Sequence, residues 1–156
     1  MSAITPKDHF ILLLRPLAKV LATVDLKAPN ATLRVSQLLP FAGGDLARAR
    51  KAGLAAVSSD WLLPKEAGGI RFGRLVKDIH GFSVDAVLMD KAGPKHRHPN
   101  GEVDLCFAQN GSPRFDGTPE GWTVYGPDTT HVPTVTGGQM LILYFLPGGA
   151  IEFSKG

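Results

Sequence analysis

Three histidines and one glutamate stand at spacings that suit metal binding or proton transfer. His96 and His98 are two residues apart, the Pro99–Gly101 turn follows, Glu102 opens the next apolar run, and His131 lies further along the chain. Alternate residues of a strand share a face, and a tight turn would bring Glu102 back beside the two histidines. Three imidazoles and a carboxylate are ligands that divalent metals accept. Without a metal, the same groups can act as acids and bases.

The run that Glu102 opens supplies further candidates. Strand alternation places Asp104 and Cys106 on the same face as Glu102. Asp104 is predicted either to orient a histidine or take a proton, or to form a salt bridge at a strand edge. Cys106 is more typical of a small buried side chain than of a nucleophile. Tyr125 is predicted as a further catalytic residue, although an aromatic side chain is also typical of an ordinary core.

Arginines and a tryptophan are candidates for binding a substrate. Arg71 lies on the first predicted strand and Arg97 lies between the two histidines. An arginine at the mouth of a barrel can hold a carboxylate with two parallel hydrogen bonds. A solvated surface charge is the alternative for either one. Trp122 is predicted to belong to an aromatic wall of the site, with the core as its alternative.

These residues require a β framework to position them. Residues 1–64 have helical spacing of apolar side chains, with a Thr-Pro-Lys-Asp start signal, and predict a helical N-terminal extension. Pro16 is expected to kink or divide the first helix. From residue 65 to 156 the pattern alternates, and Pro64–Gly69 is predicted as a linker. Short runs separated by turn residues favour an antiparallel barrel or sandwich. The predicted strands are Ile70–Val76, Phe82–Met89, Lys95–His98, Glu102–Phe107, Trp122–Tyr125, Met140–Leu146 and Ala150–Phe153.

Composition limits the class of protein. The 156 residues carry a net charge of +3 with scattered basic residues, which suits a small anionic substrate better than nucleic acid. A single cysteine excludes an internal disulfide framework and favours a reducing compartment. No stretch has the pattern of a signal peptide, and the apolar run Phe10–Leu14 is too short to span a bilayer. We therefore expect a cytoplasmic protein without a membrane partner.

The metal-ligand pattern resembles the cupin signature. His96-x-His98-x-x-x-Glu102 is similar to its first motif, and Pro127 with His131 is similar to its second, with one residue fewer between proline and histidine. The resemblance implies a mainly β, cupin-like antiparallel barrel or sandwich behind the helical extension. It also implies one divalent metal at His96, His98, Glu102 and His131, with zinc, iron, manganese and nickel all open, and no organic cofactor. Cupin barrels usually pair, so we expect a homodimer.

A more specific resemblance covers about residues 65–155. His-x-His-Pro-Asn-Gly-Glu-Val-Asp-Leu (96–105), Gly-Trp-Thr-Val-Tyr (121–125) and Thr-His-Val-Pro-Thr-Val (130–135) resemble the 4-hydroxylaminobenzoate lyase family. This implies conversion of 4-hydroxylaminobenzoate to 3,4-dihydroxybenzoate (protocatechuate) with release of ammonia, during nitrobenzoate degradation. The small aromatic carboxylate would be held by Arg71 or Arg97.

Two other functions compete with this one. Another metal-dependent cupin enzyme, a dioxygenase or isomerase acting on a small acid, would use the same ligands. A cupin-type sensor or transcription regulator is the second alternative, because Leu33–Leu39 and Leu46–Val57 loosely resemble a helix-turn-helix. The second of these helices offers Arg48, Arg50 and Lys51 but no Asn or Gln for reading base edges, so we expect no nucleic-acid partner.

Overall fold

The computed structural model describes residues 4–154, in which three helices precede nine strands. The helices are α1 (Pro6–Leu21), α2 (Ala31–Leu38) and α3 (Gly44–Ala55). The Thr5 side chain caps α1 by accepting a 3.1 Å hydrogen bond from the backbone N–H of Asp8, and proline at the first helical position needs no donor. The Thr-Pro-Lys-Asp sequence therefore marks the start of α1, as predicted.

Two antiparallel sheets follow the helices. The strands are β1 (Lys65–Ala67), β2 (Ile70–Ile79), β3 (Phe82–Met89), β4 (His96–His98), β5 (Glu102–Phe115), β6 (Gly121–Tyr125), β7 (Thr129–His131), β8 (Val135–Pro147) and β9 (Glu152–Phe153). The larger sheet has the order β1-β2-β3-β8-β5-β6, and the smaller sheet has the order β7-β4-β9. The chain leaves the smaller sheet at β4 and enters the larger one at β5, so the turn between them joins the sheets.

The central strands of the six-stranded sheet, β3, β8 and β5, have buried residues on both faces. On β5, Val103, Leu105 and Phe107 belong to the core that the helices cover. Cys106 belongs to a second apolar cluster on the opposite face, and Asp104 alternates with the helix-facing residues in the same way. This agrees with the alternation predicted from Glu102. The helices form a layer on one face, and the site lies on the other.

Close contacts hold the helices to the sheet. A Cβ atom at Gly53 on α3 would lie 3.1 Å from Leu141 Cδ2 on β8, so α3 packs tightly where it has no side chain. The indole Nε1 of Trp122 donates a 3.0 Å hydrogen bond to the carbonyl of Leu39, just after α2. The Thr32 hydroxyl accepts a 3.0 Å hydrogen bond from the backbone N–H of Val124. The helices thus share one core with the larger sheet, while the division into residues 1–64 and 65–156 stays a prediction.

The predicted fold class, mainly β with antiparallel sheets behind an N-terminal helical extension, is confirmed. Some details differ. The predicted linker Pro64–Gly69 contains β1, which pairs with β2, and Thr129–His131 forms β7 beside β4. Pro16 lies inside α1 and does not divide it. Residues 1–3 and 155–156, which the predicted segments include, lie outside the described range. None of the helices among residues 4–154 is long and apolar enough to cross a membrane.

Candidate active site

The structure brings the four predicted ligands together. Nε2 of His96 lies 3.3 Å from Glu102 Oε1, and Nε2 of His98 lies 3.2 Å from Glu102 Oε2. Nε2 of His131 lies 3.7 Å from Glu102 Oε2. One ligand atom from each residue falls within 4.8 Å of the others. His96, His98 and Glu102 are fully buried, whereas the His131 side chain is 13% exposed.

Strand pairing and one glycine turn set this geometry. In the smaller sheet His96 on β4 lies directly opposite His131 on β7, so the two imidazoles share a face. The chain then turns at Gly101, whose φ is +94°. A Cβ atom there would also lie 3.0 Å from the carbonyl oxygen of Tyr125. Glycine is required at this turn, which delivers Glu102 to the larger sheet opposite the histidines.

Contacts at Nδ1 decide which nitrogen of His96 and His131 carries the proton. Nδ1 of His96 lies 3.2 Å from the carbonyl oxygen of Pro94, which can only accept a hydrogen bond. Nδ1 of His131 lies 2.8 Å from Asp116 Oδ2, which also accepts when ionised. Both rings therefore carry N–H at Nδ1. Their Nε2 atoms then present lone pairs towards Glu102.

A hydroxyl group gives His98 the same tautomer. Its Nδ1 atom lies 2.9 Å from Thr129 Oγ1. The Thr129 hydroxyl donates its own proton to the carbonyl of Gly126 at 2.7 Å, so it accepts from His98. His98 therefore also carries N–H at Nδ1 and a lone pair at Nε2. Three lone pairs and a carboxylate face one another at the centre of the cluster.

This arrangement fits a divalent metal. The buried Nε2 atoms of the three histidines and both oxygens of Glu102 have no hydrogen-bond partner among residues 4–154. A buried polar atom without a partner is costly, and three imidazoles and a carboxylate that face one another with five acceptor atoms need a cation or a proton between them. Three imidazole nitrogens with one carboxylate form a donor set that zinc, iron, manganese and nickel accept. The contacts at Nδ1 are those that orient histidine ligands at metal sites.

The cluster also controls the charges of its own groups. Burial alone would raise the pKa of Glu102, but contacts with His131, His96, His98 and Asp104 outweigh it and hold that pKa well below its usual range. Burial lowers the pKa of His131, but the Glu102 and Asp116 carboxylates outweigh this, and the pKa is raised. Glu102 is therefore ionised, and in the absence of a metal His131 readily shares a proton with it.

Asp104 and Cys106 are buried on the same face of β5 as Glu102. Burial raises the pKa of Asp104 well above its usual range, and the negative charge of Glu102 raises it further. Asp104 is therefore a neutral carboxylic acid beside an ionised carboxylate. Burial raises the pKa of the Cys106 thiol as well. A buried thiol that keeps its proton agrees with the interpretation of Cys106 as a small core side chain.

Tyr125 contacts the cluster through its ring and its hydroxyl. The ring stacks on His98 with centroids 5.3 Å apart. The hydroxyl donates a hydrogen bond to Asp116 Oδ2, the same oxygen that His131 contacts. Burial, followed by the hydrogen bond to Asp116, raises the pKa of Tyr125 far above its usual value. Tyr125 therefore stays a hydrogen-bond donor and supports the position of Asp116.

A cavity of about 370 Å³ opens beside the cluster, and His96 is the ligand that lines it. Its volume lies within the range of small-molecule sites. Three charged residues, Lys65, Arg74 and Asp85, also line it. The remaining walls are mostly apolar or aromatic. The larger apolar and aromatic side chains of the lining are those of Ile70, Phe72, Val87, Met89, Tyr144, Ile151 and Phe153.

Comparison with known proteins gives the family. The family description PnbB: 4-hydroxylaminobenzoate lyase matches residues 39–153. The chain belongs to the 4-hydroxylaminobenzoate lyase family. A 4-hydroxylaminobenzoate lyase of Nocardioides sp. (strain LMS-CY) is 32% identical over 119 residues, or 67% of this chain and 70% of that protein. One of Pseudomonas putida is 30% identical over 88 residues, or 46% of this chain and 50% of that protein.

Among solved structures, an RmlC-like cupin protein from Ralstonia eutropha JMP134 aligns with a TM-score of 0.45. It is 12% identical and covers 60% of this chain and 66% of its own. The resemblance to 4-hydroxylaminobenzoate lyases in the sequence is confirmed by the family match, and the relatives named above are enzymes.

The two arginines predicted to bind substrate in this family member lie elsewhere. Arg71 donates 2.6 Å and 3.1 Å hydrogen bonds to the carbonyls of Val57 and Leu63, on the helix side of β2. Arg97 points away from the histidines beside it, because neighbouring strand residues face opposite ways. Its guanidinium pairs with Asp128 at 2.6 Å and Glu152 at 2.7 Å. Neither arginine lines the cavity.

Trp122 also lies outside the cavity. Its ring is buried in the core between the larger sheet and the helices, which is the alternative that the sequence left open. Asp116, in contrast, contacts the cluster and was not predicted as a site residue. The sequence Asp116-Gly117 is typical of a turn, and Asp116 does adopt a φ of +49°. No local feature distinguishes an aspartate that only forms a turn from one that also holds a histidine.

Proposed function

We propose that this chain converts 4-hydroxylaminobenzoate and water to 3,4-dihydroxybenzoate and ammonia. The observation that carries the proposal is the opening of the His/Glu cluster, through His96, onto an apolar cavity large enough for one aromatic ring. The names of the two relatives support the choice of substrate. Substrate plus one water contains the same atoms and electrons as the two products, so no external oxidant or reductant is needed.

The apolar cavity would hold the ring. Phe72, Val87 and Met89 offer apolar surface to the ring. Tyr144 also lines the cavity, and its ring centroid lies 6.2 Å from that of His96. Burying the ring there removes it from water and limits access of solvent to a reactive intermediate. The hydroxylamino group would then meet the cluster at His96.

The first chemical step breaks the N–O bond, and its oxygen leaves as water. This departure needs a proton, and Asp104 is the neutral acid beside Glu102. Asp104 does not line the cavity, so in a protein without a metal its proton would reach the substrate through Glu102 and His96. Asp104 is thus assigned as the proton donor of the cluster.

The remaining steps add two waters and release ammonia. One water adds to ring carbon 3 and gives its proton to a base, for which Glu102 and the histidines are the candidates. A second water adds to the imine at carbon 4, ammonia leaves, and loss of the proton on carbon 3 restores the aromatic ring. His98 and His131 would position Glu102 and exchange protons with it during these steps, and Tyr125 would steady His98 and Asp116.

His96, His98, Glu102 and His131 would hold a divalent metal, and their five buried acceptor atoms fit one. When bound there, a metal acts as a Lewis acid and makes a coordinated water more acidic. Zinc, iron, manganese and nickel remain the candidates, and no organic cofactor is required. The same residues would perform the proton transfers in a protein that works without a metal.

The test is turnover of 4-hydroxylaminobenzoate by the purified protein, before and after chelation and after each candidate metal is restored. We expect protocatechuate and ammonia in equal amounts. Glu102→Gln should abolish turnover while the protein stays folded, because the variant lacks the carboxylate at the centre of the cluster. Glu66→Gln, at an exposed residue of β1 that does not line the cavity, is the matched control and should keep full activity. Absence of both products from the untreated, the chelated and every metal-loaded form would contradict the proposal.

The wider setting is also a proposal. A cytoplasmic enzyme of nitroaromatic degradation, active as a homodimer and without nucleic-acid or membrane partners, accounts for the composition and the family. Leu12 and Leu33 expose 49% and 59% of their surface on α1 and α2 and offer apolar area for a second subunit. Light scattering in solution would test the dimer directly.

A further inference from the structure

Three charged residues line the cavity on neighbouring strands of the larger sheet: Lys65 on β1, Arg74 on β2 and Asp85 on β3. We infer that Lys65 binds the carboxylate of the aromatic substrate and so sets the orientation of the ring. The inference rests on the proposed function for the identity of that substrate. It assigns a specificity residue that the sequence did not single out, and it replaces Arg71 and Arg97 in that role.

Strand register directs the Lys65 side chain into the cavity. Lys65 on β1 lies directly opposite Phe72 on β2 in antiparallel pairing. Directly opposite residues of an antiparallel pair have side chains on the same face. Phe72 lines the cavity, and Lys65 lines it as well. Arg71 is displaced by one position from Phe72 and so faces the helices.

Lys65 supplies the unbalanced charge of the cavity. Arg74 pairs with Asp85 through two contacts, 2.7 Å from Nε and 3.2 Å from Nη2, so these two charges offset each other. Lys65 is exposed, and it belongs to none of the ion pairs found among residues 4–154. The three charged residues that line the cavity therefore carry one net positive charge, which complements a carboxylate.

Lys65 and His96 line the same cavity from different sheets, so a para-substituted ring can lie between them. Glu102 is on β5, four strands away from β1 in the order of the larger sheet. At roughly 4.8 Å between strands, β5 is about 19 Å from β1 in a flat sheet, and closer where the sheet curves. The row of paired residues that begins at Lys65 reaches β5 at Cys106, so Glu102 lies four residues further along that strand. The lysine side chain and the ligand cluster each occupy part of that length. An aromatic acid between them would direct its carboxylate to Lys65 and its opposite substituent to His96.

The experiment measures binding, so it does not depend on turnover. Calorimetric titration compares 4-aminobenzoate with 4-aminobenzamide, which has nearly the same shape but no charge. We expect Lys65→Met to weaken 4-aminobenzoate binding roughly three- to tenfold, as for a partly solvated ion pair, and to leave 4-aminobenzamide unchanged. Lys65→Arg should restore most of the binding. Lys77→Met, at an exposed β2 residue that does not line the cavity, should match the wild type.

The outcomes separate this inference from the proposed function. Equal binding of 4-aminobenzoate by the wild type and Lys65→Met overturns the assignment of Lys65, even if the wild type turns over 4-hydroxylaminobenzoate. Equal weakening of both ligands also overturns it, because the effect would not depend on the carboxylate. A wild type that binds 4-aminobenzoate in a Lys65-dependent manner, yet yields no protocatechuate, supports the carboxylate site and contradicts the proposed reaction.

Discussion

Asp116 holds His131 by a 2.8 Å contact between its Oδ2 atom and the Nδ1 atom of the ring. The second carboxylate oxygen of Asp116 accepts a 2.9 Å hydrogen bond from the backbone N–H of Thr134, which fixes the aspartate. His131 is the most exposed of the four candidate ligands, so it has the least packing to hold it in place. Asp116 therefore fixes the orientation of the His131 ring, which packing holds less firmly than it holds the other ligands.

Asp116→Asn should weaken metal binding. The substitution keeps the size of the side chain but removes the charge that fixes the His131 N–H, and loss of such a partner typically costs about 10- to 100-fold in metal affinity. Competition with a chromogenic chelator measures the affinity. Asp128→Asn, at an exposed carboxylate that pairs with Arg97, is the control and should keep wild-type affinity. Equal affinities for the two variants would show that Asp116 does not orient the ligand.

Tyr125→Phe should reduce turnover by less than about tenfold and lower the free energy of unfolding by about 0.5–1.5 kcal/mol, the usual net value of one hydrogen bond. The variant loses the hydroxyl that donates to Asp116 but keeps the ring that stacks on His98. Steady-state kinetics and urea denaturation give the two numbers. A thousandfold loss of turnover with unchanged stability would instead place the hydroxyl in the chemical steps.

Trp122→Phe should destabilise the protein without changing substrate affinity. The variant leaves the carbonyl of Leu39 without its donor and leaves a small void in a buried site. We expect the free energy of unfolding to fall by about 1–3 kcal/mol. Urea denaturation measures this change, and KM should match the wild type. A raised KM at unchanged stability would return Trp122 to the substrate site.

Arg71→Met should behave as a change in the scaffold. Two carbonyls, those of Val57 and Leu63, lose their donor, which should lower the free energy of unfolding by about 1–3 kcal/mol. Binding of 4-aminobenzoate should stay at the wild-type value. Arg97→Met is the comparison, since its exposed ion pairs should contribute little to stability. Selective loss of carboxylate binding in the Arg71 variant would instead assign Arg71 to the substrate site.

The centre of the site was predictable because its geometry is local. Strand alternation places His96 and His98 on the same face, and one turn brings Glu102 beside both. His131 followed from its resemblance to a known motif. The same alternation correctly placed Asp104 on the face of Glu102 and Val103 on the opposite face.

The edge of the cavity was not predictable in the same way. Strand alternation places Arg71 and Arg74 on opposite faces of β2, but it does not show which face the helices cover. The helices cover the face of Arg71, and Arg74 therefore lines the cavity on the other face. Lys65 was missed because β1 has only three exposed residues and forms through pairing with β2. Its sequence therefore lacks the apolar alternation that identifies a strand.

The four candidate ligands come from both sheets, with His96, His98 and His131 in the smaller one and Glu102 in the larger. The strands of the smaller sheet have three, three and two residues, too few to be stable alone. An ion bound between the sheets would therefore add its binding energy to the closure of the fold. Metal supply would then set the lifetime of the chain in the cell as well as its activity, because molecules without the ion would open more often and be degraded sooner.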